Sequence, residues 1–137
     1  MTIESLVLID YPKFPEENGQ LSVFQIGNQI PYEIKRVFTI LANFGDIRGD
    51  HAHIACSQTL ICLAGQIKLT CDDGMGNKQT FLLNRASKGV LIPPKIWGIQ
   101  EYMADQSVLM VICDQIYDPS DYISDYQSFI KFVKAEL

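Results

Sequence analysis

Seven short apolar runs, at residues 21–25, 36–42, 59–63, 66–71, 79–83, 89–92 and 107–113, recur along this 137-residue chain with turn-forming residues between them. Each is strand-sized and too short for a packed helix of ordinary length. Many short strands at regular spacing bury their apolar faces against one another, so the chain is expected to close into a β-sandwich or barrel. The stretch Asp72-Asp73-Gly74-Met75-Gly76-Asn77 concentrates residues that tolerate positive φ and predicts a hairpin between its flanking runs. Near the C-terminus the period changes: Ile123, Tyr126, Phe129, Ile130 and Val133 fall on one side of a 3.6-residue helix. Asp118-Pro119, with Asp121 in the first turn, signals a helix start, and the stripe is expected to cover an open end or a face of the barrel.

The length is that of one domain spanning 1–137, and 47% apolar residues suffice for one core. A net charge of -5 argues against nucleic acid as a partner, because phosphate contacts require clustered Lys and Arg. No apolar stretch approaches the roughly 18 residues of a membrane span, and the N-terminus lacks the pattern of a signal peptide. Cys56, Cys62, Cys71 and Cys113 lie in or beside apolar runs and form no C-x-x-C pair, which fits reduced, buried thiols. A soluble cytoplasmic protein is the expectation.

The only two histidines, His51 and His53, stand two residues apart between glycines. In an extended strand, residues at i and i+2 share a face, so both imidazoles are expected to enter one space. Two imidazoles and the neutral amide of Gln58 are a poor set for Zn²⁺ or Fe²⁺, which want three or four donors of imidazole or anionic character. Acid/base work suits them better, since neutral imidazole accepts and returns a proton near neutral pH. Two other readings stand beside this one: histidines that are merely hydrogen-bonded strand residues, and a cysteine nucleophile paired with a histidine.

Gly45, five residues, His51, one residue, His53, four residues, Gln58, six residues and Gly65 together resemble the first signature motif of the cupin β-barrels, with Gln58 where metal-binding members carry Glu. Ile34-Lys35-Arg36-Val37, Arg48-Gly49-Asp50-His51-Ala52-His53, Gln58-Thr59-Leu60-Ile61-Cys62 and Tyr117-Asp118-Pro119-Ser120-Asp121-Tyr122-Ile123 resemble the metal-free cupin 3,4-ketoisomerases of sugar nucleotides, over most of residues 19–129. The resemblance implies an all-β cupin jelly roll (a double-stranded β-helix) with a C-terminal helix, and a homodimer. It implies a dTDP-4-keto-6-deoxyhexose substrate whose ketone moves between C4 and C3, with neither cofactor nor metal.

Within that frame His51 is the better candidate for the base at carbon, and His53 for shuttling protons between the two oxygens. Gln58 and Thr39 are candidates to orient the rings or the sugar. Arg48 and Arg36 are the candidate pyrophosphate cations, because a guanidinium fork matches phosphate oxygens. Trp97 either lines the cavity or fills a core or interface. The chain departs from the family's usual pattern at Gly98, where a polar residue commonly follows the Trp, and at Phe38-Thr39, where a tyrosine pair is usual; Asn18 is uninformative. The rival readings are a 3,5-epimerase, whose His–Asp dyad has no clear counterpart in the sequence, a metal-dependent cupin oxygenase, and a non-catalytic sugar-binding cupin.

Overall fold

The computed structural model describes residues 2–137. Its strands are β1 (Ile9–Asp10), β2 (Lys13–Glu16), β3 (Gly19–Ser22), β4 (Arg36–Ala42), β5 (Ile47–His53), β6 (Gln58–Ala64), β7 (Ile67–Asp72), β8 (Lys78–Leu83), β9 (Lys88–Ile92), β10 (Trp97–Tyr102), β11 (Ser107–Cys113) and β12 (Tyr122–Ile123), followed by one helix, α1 (Tyr126–Ala135). They form two five-stranded antiparallel sheets, β1-β9-β6-β11-β4 and β12-β5-β10-β7-β8, and a separate β2-β3 hairpin. Neighbours in each main sheet are mostly distant in sequence, the mark of a jelly roll. The fold class expected from the sequence is the one observed.

The apolar runs build the interior for a simple reason. Along β11, Leu109, Val111 and Cys113 point between the sheets and join Leu60, Cys62, Leu69, Cys71, Phe81, Val90 and Tyr102 in one buried cluster. The alternate residues Met110 and Ile112 face outward, where Tyr11, Phe24, Ile30 and Tyr32 cover them. The segment between β3 and β4 is therefore irregular but anchored, and the Tyr32 hydroxyl lies 2.6 Å from Thr59 Oγ1 while donating to the Ile112 carbonyl at 2.7 Å. That covering explains why β6 is buried on both faces.

Three expectations are corrected. The run at 21–25 leaves the sheet after Ser22, because β3 pairs only with β2. The strands β5 and β10 were not among the apolar runs. The helix also starts seven residues later than Asp118: the Asp118 carboxylate caps only a short 3₁₀ turn, Pro119–Asp121, after which Tyr122 and Ile123 pair with His53 and Ala52. Once the edge of β5 claims those backbone groups, the next N-cap available is Asp125, which accepts from the Ser128 N–H. The stripe then covers a face rather than an open end, with Phe129 and Val133 packed on Ala52 and Trp97. The hairpin expected at 72–77 joins β7 to β8. Among the described residues no helix is long and apolar enough to cross a membrane, and the four cysteines are free and buried.

Candidate active site

A β-bulge in β5 makes the site. Gly49 and Asp50 both have positive φ, 71° and 59°, and the pairing with β10 slips there: Gly98 stands opposite His51, and Ile99 opposite Gly49. Asp50 is the extra residue, pushed to the outer face, where its carboxylate accepts from the Trp97 indole N–H at 3.0 Å. Arg48 and His51, three apart, would otherwise lie on opposite faces of the strand. The bulge puts both on the inner face, with Arg48 opposite Gln100.

His51 and His53 meet edge to face, ring centroids 4.9 Å apart, and the Tyr122 ring packs against them at 5.0 and 4.4 Å. Their hydrogen bonds fix the tautomers. His51 Nδ1 lies 3.0 Å from the Gly49 carbonyl, which can only accept, so Nδ1 carries the hydrogen and Nε2 keeps its lone pair. His53 Nδ1 lies 2.8 Å from Asp121 Oδ2, which imposes the same tautomer. The second Asp121 oxygen accepts from the Ala55 N–H at 2.6 Å, so the carboxylate is held from both ends. His53 Nε2 is buried without a partner among the described residues.

Both imidazoles are held neutral. Burial is the main cause of the lowered pKa of each; for His51 the neighbouring His53 adds to it, against the Gly49 carbonyl and Asp50. For His53 the bond to Asp121 opposes burial, and Arg36 adds to the lowering. Two unprotonated Nε2 atoms in one low-dielectric space constitute a base and a second proton acceptor.

His51 opens into a cavity of about 380 Å³, lined also by Phe38, Ile40, Arg48, Gln58, Gln100 and Tyr122, at the lower end of the size range for small-ligand sites. His53 instead lines a neighbouring constriction of about 20 Å³, which it shares with His51, Cys56, Gln58 and Gly98. A larger groove of about 690 Å³, between the N-terminal segment and the end of α1, contains neither histidine.

Residues 4–134 match the family model described as FdtA: WxcM-like, C-terminal. The chain is 32% identical over 127 residues to the TDP-4-oxo-6-deoxy-alpha-D-glucose-3,4-oxoisomerase of Aneurinibacillus thermoaerophilus, covering 92% of this chain and 91% of that one. The chain belongs to this family of 3,4-ketoisomerases. Two solved relatives are similar in structure. A His-to-Asn variant of the 3,4-ketoisomerase QdtA from Thermoanaerobacterium thermosaccharolyticum, in complex with TDP-4-keto-6-deoxyglucose, superposes with a TM-score of 0.92 at 28% identity over 99% of both chains. WlaRA, a TDP-fucose-3,4-ketoisomerase from Campylobacter jejuni, gives 0.85 at 32% identity over 93% of this chain and 95% of that one.

Not every candidate residue reaches this cavity. Arg36, on β4, lies beside the cavity and does not line it: its guanidinium lies 5.2 Å from the Phe38 ring and 5.5 Å from the Tyr117 ring, and donates to Cys113 Sγ at 3.6 Å. Gln58 lines the cavity, but its amide donates to the same sulfur rather than to either histidine. Thr39 does not. It alternates with Phe38 and Ile40, which point inward, and lies exposed on the outer face opposite Met110. Trp97 is likewise outside the pocket, buried beneath α1 against Tyr126 and Phe129. Of its two readings the core filler is the one observed.

Sequence reasoning missed Asp121, Tyr122 and Gln100. In the sequence Asp121 marks only a helix start, and a His–Asp pair with no clear counterpart there is formed by His53 and Asp121, 68 positions apart. Its one local signal was the stretch around Asp118-Pro119. A two-residue strand that docks it beside His53 leaves no periodicity to detect.

Proposed function

We propose that this chain is a metal-independent sugar-nucleotide 3,4-ketoisomerase that converts dTDP-4-keto-6-deoxyglucose into a dTDP-3-keto-6-deoxyhexose. The observation that carries the reading is the pair of imidazoles with ring centroids 4.9 Å apart, each with Nε2 left as an acceptor by a bond at Nδ1. His51 Nε2 removes the C3 proton as the C3–C4 double bond forms and charge moves onto O4. His53 Nε2 takes the O3 proton and delivers it to O4, and its transient positive charge is balanced by Asp121. His51 Nε2 exchanges the abstracted proton with solvent before protonating C4, which leaves the carbonyl at C3. General acid–base catalysis of this kind contributes about 10²- to 10⁴-fold. Arg48, at the cavity mouth, and Arg36 supply cations for the pyrophosphate, with bidentate geometry available to each.

The resting metal-free state is supported by Gln58, whose neutral amide is committed to Cys113. A homodimer is supported by the β2-β3 hairpin, in which Phe14 and Leu21 face each other while 55% and 58% exposed. An isolated two-stranded hairpin is marginal in water, and a second copy would cover it. The nucleotide substrate and the four free thiols favour a reducing compartment, the cytoplasm.

Incubation with dTDP-4-keto-6-deoxyglucose in D₂O, followed by NMR, tests the reaction. The expected result is a carbonyl at C3 with deuterium at C4. Label at C5 would assign the chain to epimerase chemistry instead, and a bound sugar with no label would leave only a binding protein. His51→Asn and His53→Asn should each abolish the exchange, and full activity in both would eliminate the mechanism.

A further inference from the structure

The turn between β5 and β6 brings a third kind of donor to the histidines. One ligand atom each from His53, Cys56 and Asp121 lie within 4.8 Å of one another. His53 is 6% and Cys56 2% exposed, and the Asp121 side chain is 12% exposed, so little water competes for them. An imidazole, a thiol and a carboxylate are three of the donors Zn²⁺ takes, and around a tetrahedral Zn²⁺ they stand about 3.4–3.6 Å apart. The set differs from the His51, His53 and Gln58 positions at which other cupins hold a metal.

We propose that His53, Cys56 and Asp121 form an inhibitory site for Zn²⁺, with Nδ1, Sγ and Oδ2 as ligands and one position left to water. The charges close: the Cys56 thiolate and the Asp121 carboxylate together balance the ion. So do the protons. The Cys56 thiol releases one proton to solvent, while the hydrogen displaced from His53 Nδ1 is matched by one gained at Nε2. The nitrogen facing the sugar thereby changes from acceptor to donor, and the shuttle between O3 and O4 stops. This inhibitory consequence rests on the ketoisomerase reading, whereas occupancy of the site does not.

Titration of chelator-treated protein with Co²⁺ tests occupancy directly. A thiolate-to-cobalt charge-transfer band in the near ultraviolet should saturate at one equivalent, be displaced by Zn²⁺ with its amplitude lost, and be missing in Cys56→Ser. Zn²⁺ should also slow alkylation of Cys56 relative to Cys62 and Cys71 in the unaltered enzyme, a readout that needs no variant. With the 4-keto sugar as substrate, Zn²⁺ should inhibit reversibly by chelator, and Cys56→Ser should need at least tenfold more Zn²⁺ than the unaltered enzyme to lose the same fraction of its own activity. A cobalt spectrum without the thiolate band, or no protection of Cys56, would overturn the site. Equal zinc sensitivity in wild type and Cys56→Ser would overturn its inhibitory role, and failure of turnover alone would count against the ketoisomerase reading only.

Discussion

Replacing Asp121 by Asn changes one atom and should cost most of the activity. The carboxylate accepts two hydrogen bonds, from His53 Nδ1 at 2.8 Å and from the Ala55 N–H at 2.6 Å. A primary amide has one oxygen and one NH₂, so it cannot accept from both neighbours. The backbone N–H of Ala55 has no alternative role, but imidazole has a second tautomer. The Asn oxygen is therefore expected to stay on Ala55 and its NH₂ to face Nδ1, driving the His53 hydrogen onto Nε2. The nitrogen that should receive the O3 proton is then already protonated, and the charge that balanced the imidazolium is gone. Loss of an acid/base group reduces turnover by about 10²- to 10⁴-fold, or roughly 3–5 kcal/mol of transition-state stabilisation. Stability should fall much less, by about 1–2 kcal/mol, the difference between charge-assisted and neutral hydrogen bonds at two positions. Steady-state turnover of the 4-keto sugar, denaturant unfolding at fixed protein concentration, and long-range ¹⁵N–¹H NMR of the imidazoles measure the three quantities. Turnover within twofold of wild type, or a wild-type spectrum with the His53 hydrogen on Nε2, would refute the tautomer argument.

The acid limb of kcat/KM should have its midpoint below 6.5, because burial lowers both histidine pKa values from that figure. The same shifts make the folded state bind fewer protons than the unfolded chain, so their stability contribution is complete above pH 6.5 and is lost as pH falls toward the lowered values; urea midpoints across that range check the sign. Arg48→Lys should raise KM for the nucleotide sugar about ten- to a hundredfold with little change in kcat, as loss of a charged, forked hydrogen bond costs about 1.5–3 kcal/mol, and initial-rate kinetics separates the two constants. Gly49→Ala should lose about 1–2 kcal/mol of stability because of its φ of 71° and a new Cβ only 3.1 Å from the Gly98 carbonyl, with kcat/KM falling as the bulge shifts. Phe129→Ala, at a position 0% exposed beneath α1, should cost about 3–5 kcal/mol in denaturant unfolding.

What was legible in the sequence follows from what each strand faces. The run at 107–113 coincides with β11 because its inner side meets the apolar interior and its outer side meets the segment between β3 and β4. In β10, the inward positions Gly98 and Gln100 face a polar cavity, and the outward Trp97 sits under a helix, so the apolar alternation that would reveal a strand is missing. The strands that build the site are thus the ones periodicity finds least well. Asp121 was hidden for another reason: its partner lies on a different element, and the pairing exists only once β12 docks on β5.

Two pairs of candidates show how far spacing can be trusted. Arg36 and Thr39 are three residues apart on β4, and so are Arg48 and His51 on β5. A regular strand sends residues three apart to opposite faces, which is what β4 does: Arg36 shares the inner face with Phe38 and Ile40, which line the cavity, and Thr39 points away from it. On β5 the added residue at Gly49-Asp50 restores Arg48 and His51 to one face. The local sequence held a sign of this, a glycine followed by an aspartate, both tolerant of positive φ, just ahead of the histidines. Alternation therefore predicts the side-chain directions of both strands once a Gly-Asp step is counted as a place where the strand takes in one residue more than its partner.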